Sequence, residues 1–286
     1  MTTVVEPRRN TAAVNGLRVR ILEWGDAGAP PVVCVHGYTS SAEAFNALAR
    51  HLQDRFHVIV PDVRGHGESA WSPEGAYQYA DQASDLTAMV DELGLGRFTL
   101  IGTSMGGIIA MAYAGAHAER LAGLVINDIG PDVEEGSQRI TQVVGSRPDK
   151  FATLDEAMAW RRTASPVTAS RSIEEQRELA LGVLRPQADD AWVWKMDPAY
   201  VEQRVRYGAP RRPALWPALA KIACPTLVVW GTASDVLCEA QARRMVEVLP
   251  KGELVVVPRV AHAPTLAEPV VLAAMKRLLD GVTGKT

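Results

Sequence analysis

Residues 100–110 read LIGTSMGGIIA, three glycines gathered around one hydroxyl. Glycine inside a regular element normally costs stability, so the cluster calls for a geometric reason. Gly102-Thr103-Ser104-Met105-Gly106 is a G-x-S-x-G placed between a strand-like run (97–102) and a helical run (105–119). A strand turning abruptly into a helix strains its apex residue and crowds the positions two before and two after it. The turn exposes Ser104 Oγ above the carboxyl ends of the strands. The free N–H groups of the helix start stand behind it, where they favour an anion. In this context the motif marks a nucleophile.

A serine hydroxyl needs a neighbouring base. Of the six histidines, His51 and His57 flank a helix and a strand as surface or edge residues, and His117 lies near a helix end. His66, in DVRGHGES, reads as a structural loop residue, and His36 precedes Gly37 in a loop required for another purpose. His262 remains, in VPRVAHAPTLAEP, between the last strand and the last helix. Loops at the carboxyl ends of parallel strands share one rim, so His262 is expected to be the base.

The imidazole must be oriented by a carboxylate. Asp235, in VVWGTASDV, follows a strand onto the same rim and gives the chain order nucleophile, acid, histidine. Asp128, in LVINDIGP, ends the strand after the nucleophile helix and is the competitor, or else pins the loop that follows. The sequence favours Asp235. An oxyanion hole needs two backbone donors. Met105 N–H supplies one, and Tyr38 N–H in VHGYTSS is the candidate for the other, with Gly37 permitting the turn.

These residues need a scaffold. Asn15–Gly16 marks a hairpin over 12–25, and PPVVCVHG (30–37) and FHVIVPD (56–62) read as strands buried on both faces. Strands at 97–102, 121–128, 225–231 and 252–258 alternate with helices near 42–53, 79–95, 105–119, 239–249 and 266–279. Such alternation means a parallel sheet in an α/β fold. It stops between Ile129 and Ile222, a helical-looking, strand-poor stretch carrying Trp160, Trp192, Trp194 and Trp216. The expected division is a core of 1–128 and 223–286 with a helical lid at 129–222.

With 286 residues, 47% hydrophobic and a formal charge of -3, the chain has ample core and no basic surface dedicated to nucleic acid. Cys34, Cys224 and Cys238 show no metal-ligand spacing, so neither metal, cofactor nor disulfide framework is expected. MTTVVEPRRN lacks the apolar core of a secretory signal, and no run approaches the ~20 apolar residues of a membrane span. A cytoplasmic protein without membrane or nucleic-acid partners is expected; oligomeric state stays open.

VHGYTSS, PDVRGHGES, GTSMGG, WGTASDV and AHAP, in this order, resemble the α/β-hydrolase fold superfamily across about Asn10 to Leu279. The resemblance implies an eight-stranded, mostly parallel sheet with a lid inserted after the sixth strand. NDIGP and MDP are similar to stretches of a large group of bacterial hydrolases of this type. Dehalogenases and epoxide hydrolases of the superfamily use an aspartate nucleophile where this chain has Ser104, and H-G-Y-T replaces their H-G-x-P. The HGGG loop of some lipases is absent. Met105 stands where haloperoxidase-like members often carry an aromatic residue.

The expected activity is hydrolysis of a small carboxylic ester by Ser104, Asp235 and His262 through an acyl-enzyme, held by the Tyr38 and Met105 amides. A carbon–carbon bond hydrolase of ring-cleavage products, lactone or thioester hydrolysis, and a non-catalytic ligand receptor on the same scaffold are the alternatives. Trp160 and Trp194 line a substrate pocket or serve packing alone. Arg161, Arg206 and Arg211 are cations that either recognise a carboxylate or sit solvated. Ser104→Ala is expected to abolish hydrolysis of a short p-nitrophenyl ester while circular dichroism stays unchanged; retained turnover would refute the assignment.

Overall fold

The computed structural model describes residues 6–132 and 136–283. Residues 1–5 and 284–286 of the expected core, and 133–135 of the expected lid, lie outside the described residues. The chain opens with a hairpin of β1 (Arg8–Val14) and β2 (Leu17–Trp24). Asn15 and Gly16 close it with φ of 49° and 76°, the left-handed pair a two-residue turn requires. Next come β3 (Pro31–Val35), α1 (Asn46–Leu52), β4 (His57–Pro61), α2 (Tyr79–Glu92), β5 (Phe98–Thr103), α3 (Met105–Ala116) and β6 (Leu121–Asn127).

The chain then leaves the sheet. It forms α4 (Gly136–Gly145), β7 (Lys150–Phe151), α5 (Leu154–Ala164), α6 (Pro166–Ala169), α7 (Ile173–Val183), β8 (Leu184–Pro186), β9 (Trp192–Trp194), α8 (Pro198–Tyr207) and α9 (Leu215–Leu219). It returns as β10 (Thr226–Gly231), α10 (Glu239–Val248), β11 (Gly252–Val257) and α11 (Pro269–Thr283).

Among the described residues eight strands make the main sheet, in the order β1-β2-β4-β3-β5-β6-β10-β11. β2 alone runs against the direction shared by the other seven strands. Alternation along β3 sends Val33 and Val35 to one face and Val32 and Cys34 to the other. The first face packs on α2, α3 and α10 through Met89, Ile108, Ile109 and Met245. The second packs on α1 and α11 through Leu48, Val271 and Met275. Each buried aliphatic side chain contributes roughly 1.5–3 kcal/mol, so the two clusters fix the strand register.

The excursion between β6 and β10 is not purely helical, as the sequence suggested. β7, β9 and β8 pair as a small antiparallel sheet. Strands of two and three residues are too short to show an alternating pattern. Part of the excursion has its own apolar cluster, including Phe151, Met158, Ala180 and Leu184. Val144, Met196, Tyr200, Leu215 and Leu219 instead join the cluster under the main sheet.

Two buried histidines stitch the loops after β3 and β4. His36 Nε2 accepts from Val63 N–H at 2.9 Å, and its Nδ1–H donates to Gly37 O at 2.8 Å. His66 Nε2–H donates to Tyr38 O at 2.7 Å. Burial pushes both down to about 4 from 6.5, so each is neutral when folded. His57, expected near the surface, is also buried, against Glu23 at 2.6 Å.

A depressed folded-state value means the unfolded chain binds protons first as pH falls. The contribution of His36 and His66 is therefore complete above pH 6.5 and is lost towards pH 4. Within that window each adds about 1.4 kcal/mol per pH unit to the slope of stability. His66→Gln should lower that slope by about one proton, read from urea midpoints at a series of pH values.

Candidate active site

Ser104 sits between β5 and α3 with φ 54° and ψ -119°, a strained apex. A Cβ on Gly102 would lie 2.3 Å from Gly106 O, and one on Gly106 would lie 2.0 Å from Val35 O. Both distances are far inside contact, so neither position accepts a side chain. Ser104 Oγ–H donates to His262 Nε2 at 2.8 Å. His262 Nδ1–H donates in turn to Asp128 Oδ2, also at 2.8 Å. The His262 side chain is 9% exposed and that of Asp128 fully enclosed.

The structure corrects the choice of acid. Asp128 and not Asp235 holds the imidazole, because β6 and β10 are neighbours whose ends reach the same spot. Asp128 directly follows β6, with φ 55° turning its side chain back over the rim. Its N–H donates to Val229 O at 2.8 Å, and its Oδ1 accepts from Gly231 N–H at 3.1 Å. The end of β10 itself thus clamps Asp128, where the sequence reading asked the loop after it for the acid. Asp235 lies farther out, its side chain 41% exposed, and makes a two-pronged ion pair with Arg139, one arm at 2.9 Å. The hydrogen bond from Arg139 holds its carboxyl below the usual range.

The expected oxyanion donors are close by. Gly37 packs on Ser104, since a Cβ there would lie 3.3 Å from Ser104 Cβ. Gly37 O accepts from both His36 Nδ1 and Ser40 N–H, which fixes the peptide plane carrying the Tyr38 N–H at its other end. Met105 N–H belongs to the first residue of α3. Neither amide has a hydrogen-bond partner among the described residues.

Sequence reasoning missed two supports. Asn127 Nδ2–H donates to Thr103 Oγ1 at 3.1 Å and to Pro264 O at 2.8 Å, tying the nucleophile strand to the loop of His262. Its signal was a polar pair, Asn127–Asp128, closing an apolar strand. Tyr200 of α8 is buried edge-on to Tyr38, ring centroids 5.0 Å apart, with its hydroxyl 3.5 Å from Met105 Sδ. Helical periodicity alone could not show that contact.

A cavity of about 230 Å³ opens beside Ser104 and His262. Trp160 and Trp194 are in its wall and also pack on each other and on Phe151, at 5.6, 6.1 and 5.7 Å between ring centres. Arg161, read from the sequence as either ligand-facing or solvated, lines this cavity. Arg206 stacks on the exposed Tyr207 and Arg211 is exposed, both outside it.

A doubly covered parallel sheet with a serine–imidazole–carboxylate chain on its carboxyl rim defines an α/β hydrolase. The chain belongs to the α/β hydrolase fold family, whose pattern matches residues 30–269. It is 32% identical over 274 residues to the 3-hydroxybutyrate-oligomer hydrolase of Cupriavidus necator, covering 92% of this chain and 93% of that one. It is 27% identical to the 2-(acetamidomethylene)succinate hydrolase of Mesorhizobium japonicum, over 88% of each chain. An α/β hydrolase crystal structure from Novosphingobium aromaticivorans superposes with a TM-score of 0.86 at 34% identity, over 96% of this chain and 99% of that one. Among the described residues no helix is long and apolar enough to cross a membrane.

The geometry makes Asp128 the carboxylate on which the imidazole depends. Asp128→Asn should lower kcat on a short p-nitrophenyl ester by on the order of 10⁴. Asp235→Asn should cost less than about tenfold, since it disturbs an exposed ion pair. Steady-state kinetics of the two variants check the ranking, and its reversal would reinstate Asp235.

Proposed function

We propose that the protein is a serine hydrolase cleaving a small carboxylic ester, with Ser104 as nucleophile, His262 as base and Asp128 as the orienting acid. The observation that carries this reading is the unbroken pair of 2.8 Å hydrogen bonds from Ser104 Oγ through His262 to Asp128. In this mechanism His262 Nε2 takes the Ser104 proton as Oγ attacks the ester carbonyl. The Tyr38 and Met105 amides hold the oxyanion, and the imidazolium returns its proton to the departing alcohol. Water, deprotonated by the same imidazole, then releases the acid from the acyl-enzyme.

An ester is favoured by the name of the relative from Cupriavidus necator, because 3-hydroxybutyrate units joined hydroxyl to carboxyl are esters. The stretch 129–222 is assigned the role of lid, with Trp160 and Trp194 as apolar wall for the acyl or alcohol group. The chemistry requires no metal or cofactor.

The test is kcat/KM across a panel of esters, lactones, thioesters and a dienoic ketoacid, with fluorophosphonate labelling alongside. Esters should lead the panel, and labelling should disappear in Ser104→Ala. A preference for the ketoacid would move the reading to carbon–carbon hydrolysis. A wild-type protein that neither turns over nor labels would point to a ligand-binding role.

A further inference from the structure

The cavity beside Ser104 has an uneven charge. Among the described residues four arginines, Arg139, Arg147, Arg161 and Arg171, share its lining, and no aspartate or glutamate does. Two of the four are answered nearby. Arg139 pairs with Asp235, while Arg171 has Glu175 at 3.9 Å and feels Glu268. Arg147 lies over the Trp194 ring at 4.8 Å, with Met196 Sδ 3.6 Å from its Nη1, and among the described residues has no carboxylate within ion-pair distance. Arg161 is the extreme case. Its Nε is sealed from solvent without an acceptor, and among the described residues its guanidinium makes no side-chain hydrogen bond or ion pair.

A half-buried guanidinium whose Nε is sealed and which has no counter-charge is costly, and a second cation beside it makes matters worse. Burial first, and the charge of Arg171 second, pull Arg161 down to about 10. Even so it stays protonated at neutral pH and offers a planar fork of donors to the cavity. A flat fork that recognises two oxygens in a plane suits a carboxylate.

We propose that Arg161, assisted by Arg147, binds a carboxylate carried by the substrate remote from the scissile bond. The substrates are then esters of a dicarboxylic or hydroxycarboxylic acid with one acid group free. The inference rests on the ester-hydrolase reading for the scissile bond but not for the anion site. Ion pairing with the ligand would supply the acceptor that Arg161 lacks in the free protein.

The experiment compares mono-4-nitrophenyl adipate with its methyl-capped diester, which differ only in the free carboxylate. The wild type should prefer the monoanion by roughly 10- to 100-fold in kcat/KM, expressed mainly in KM. In Arg161→Met that preference should collapse at least tenfold, and Arg161→Lys should restore part of it, provided both variants keep the wild-type melting temperature. Equal use of both esters by the wild type, or an unchanged preference in Arg161→Met, would overturn the proposal.

Calorimetric binding of monomethyl adipate to Ser104→Ala reads the anion site without turnover. Binding lost in Ser104→Ala/Arg161→Met supports the site even where neither ester is hydrolysed, in which case only the ester reading fails. No binding of the adipate, or tighter binding of methyl phosphate than of the adipate, defeats the carboxylate assignment.

Discussion

Both nitrogens of His262 are engaged at 2.8 Å, one by Ser104 and one by Asp128, and the rest of the molecule is arranged around that ring. An imidazole held at one nitrogen can swing; held at both, it has one tautomer and one plane. The partners come from different strands, which only a packed parallel sheet brings to a common edge. Asp128 is itself held by Gly231 N–H and by the backbone bond to Val229, so β6 and β10 must stay in register for the ring to stay aimed.

The same economy governs the anion side of the rim. His36 and His66 are spent on structure: one fixes the peptide that presents Tyr38 N–H, the other the next carbonyl. Beneath them a buried ion cluster joins Arg20 to Asp62 at 2.9 Å and to Glu43 at 2.6 Å. Asp62 also accepts from the amides of Ala42 and Glu68, each at 2.8 Å. The loops after β3 and β4 are therefore tied to each other and to the sheet, with the Tyr38 N–H left without a partner among the described residues. On the proposed mechanism that tying is preorganisation, in which a donor stands in place before charge develops.

Much of this could be read from residue order. The parallel core followed from apolar runs bounded by Pro and Gly, and the Asn15–Gly16 turn and the glycine-flanked Ser104 are local signals with local causes. The choice between Asp128 and Asp235 was not local. It depends on which of two adjacent strand ends delivers a side chain and which an amide, and both segments read alike as a strand, a turn and an acid. The small sheet of β7, β8 and β9 was invisible because its strands are shorter than one alternation can reveal. Arg139, Arg147 and Arg171 escaped, and Arg161 stayed open between ligand-facing and solvated, for a related reason: a helix pattern says which face is apolar, not which cation ends inside a pocket.

The excursion has two mechanically different parts. Its outer part, Phe151 to Trp194, contains a separate apolar cluster as well as Trp160, Arg161 and Arg171. Its returning part is bolted to the core, with Tyr200 stacked on Tyr77 at 4.3 Å and hydrogen-bonded to Gln82 at 2.8 Å. On the proposed reading a recognition graft between relatives would span the outer part and carry along its anchor on α1, where Glu178 meets Asn46 at 2.9 Å and Arg50 at 2.5 Å, whereas one extending through α8 would also remove the packing against Tyr38.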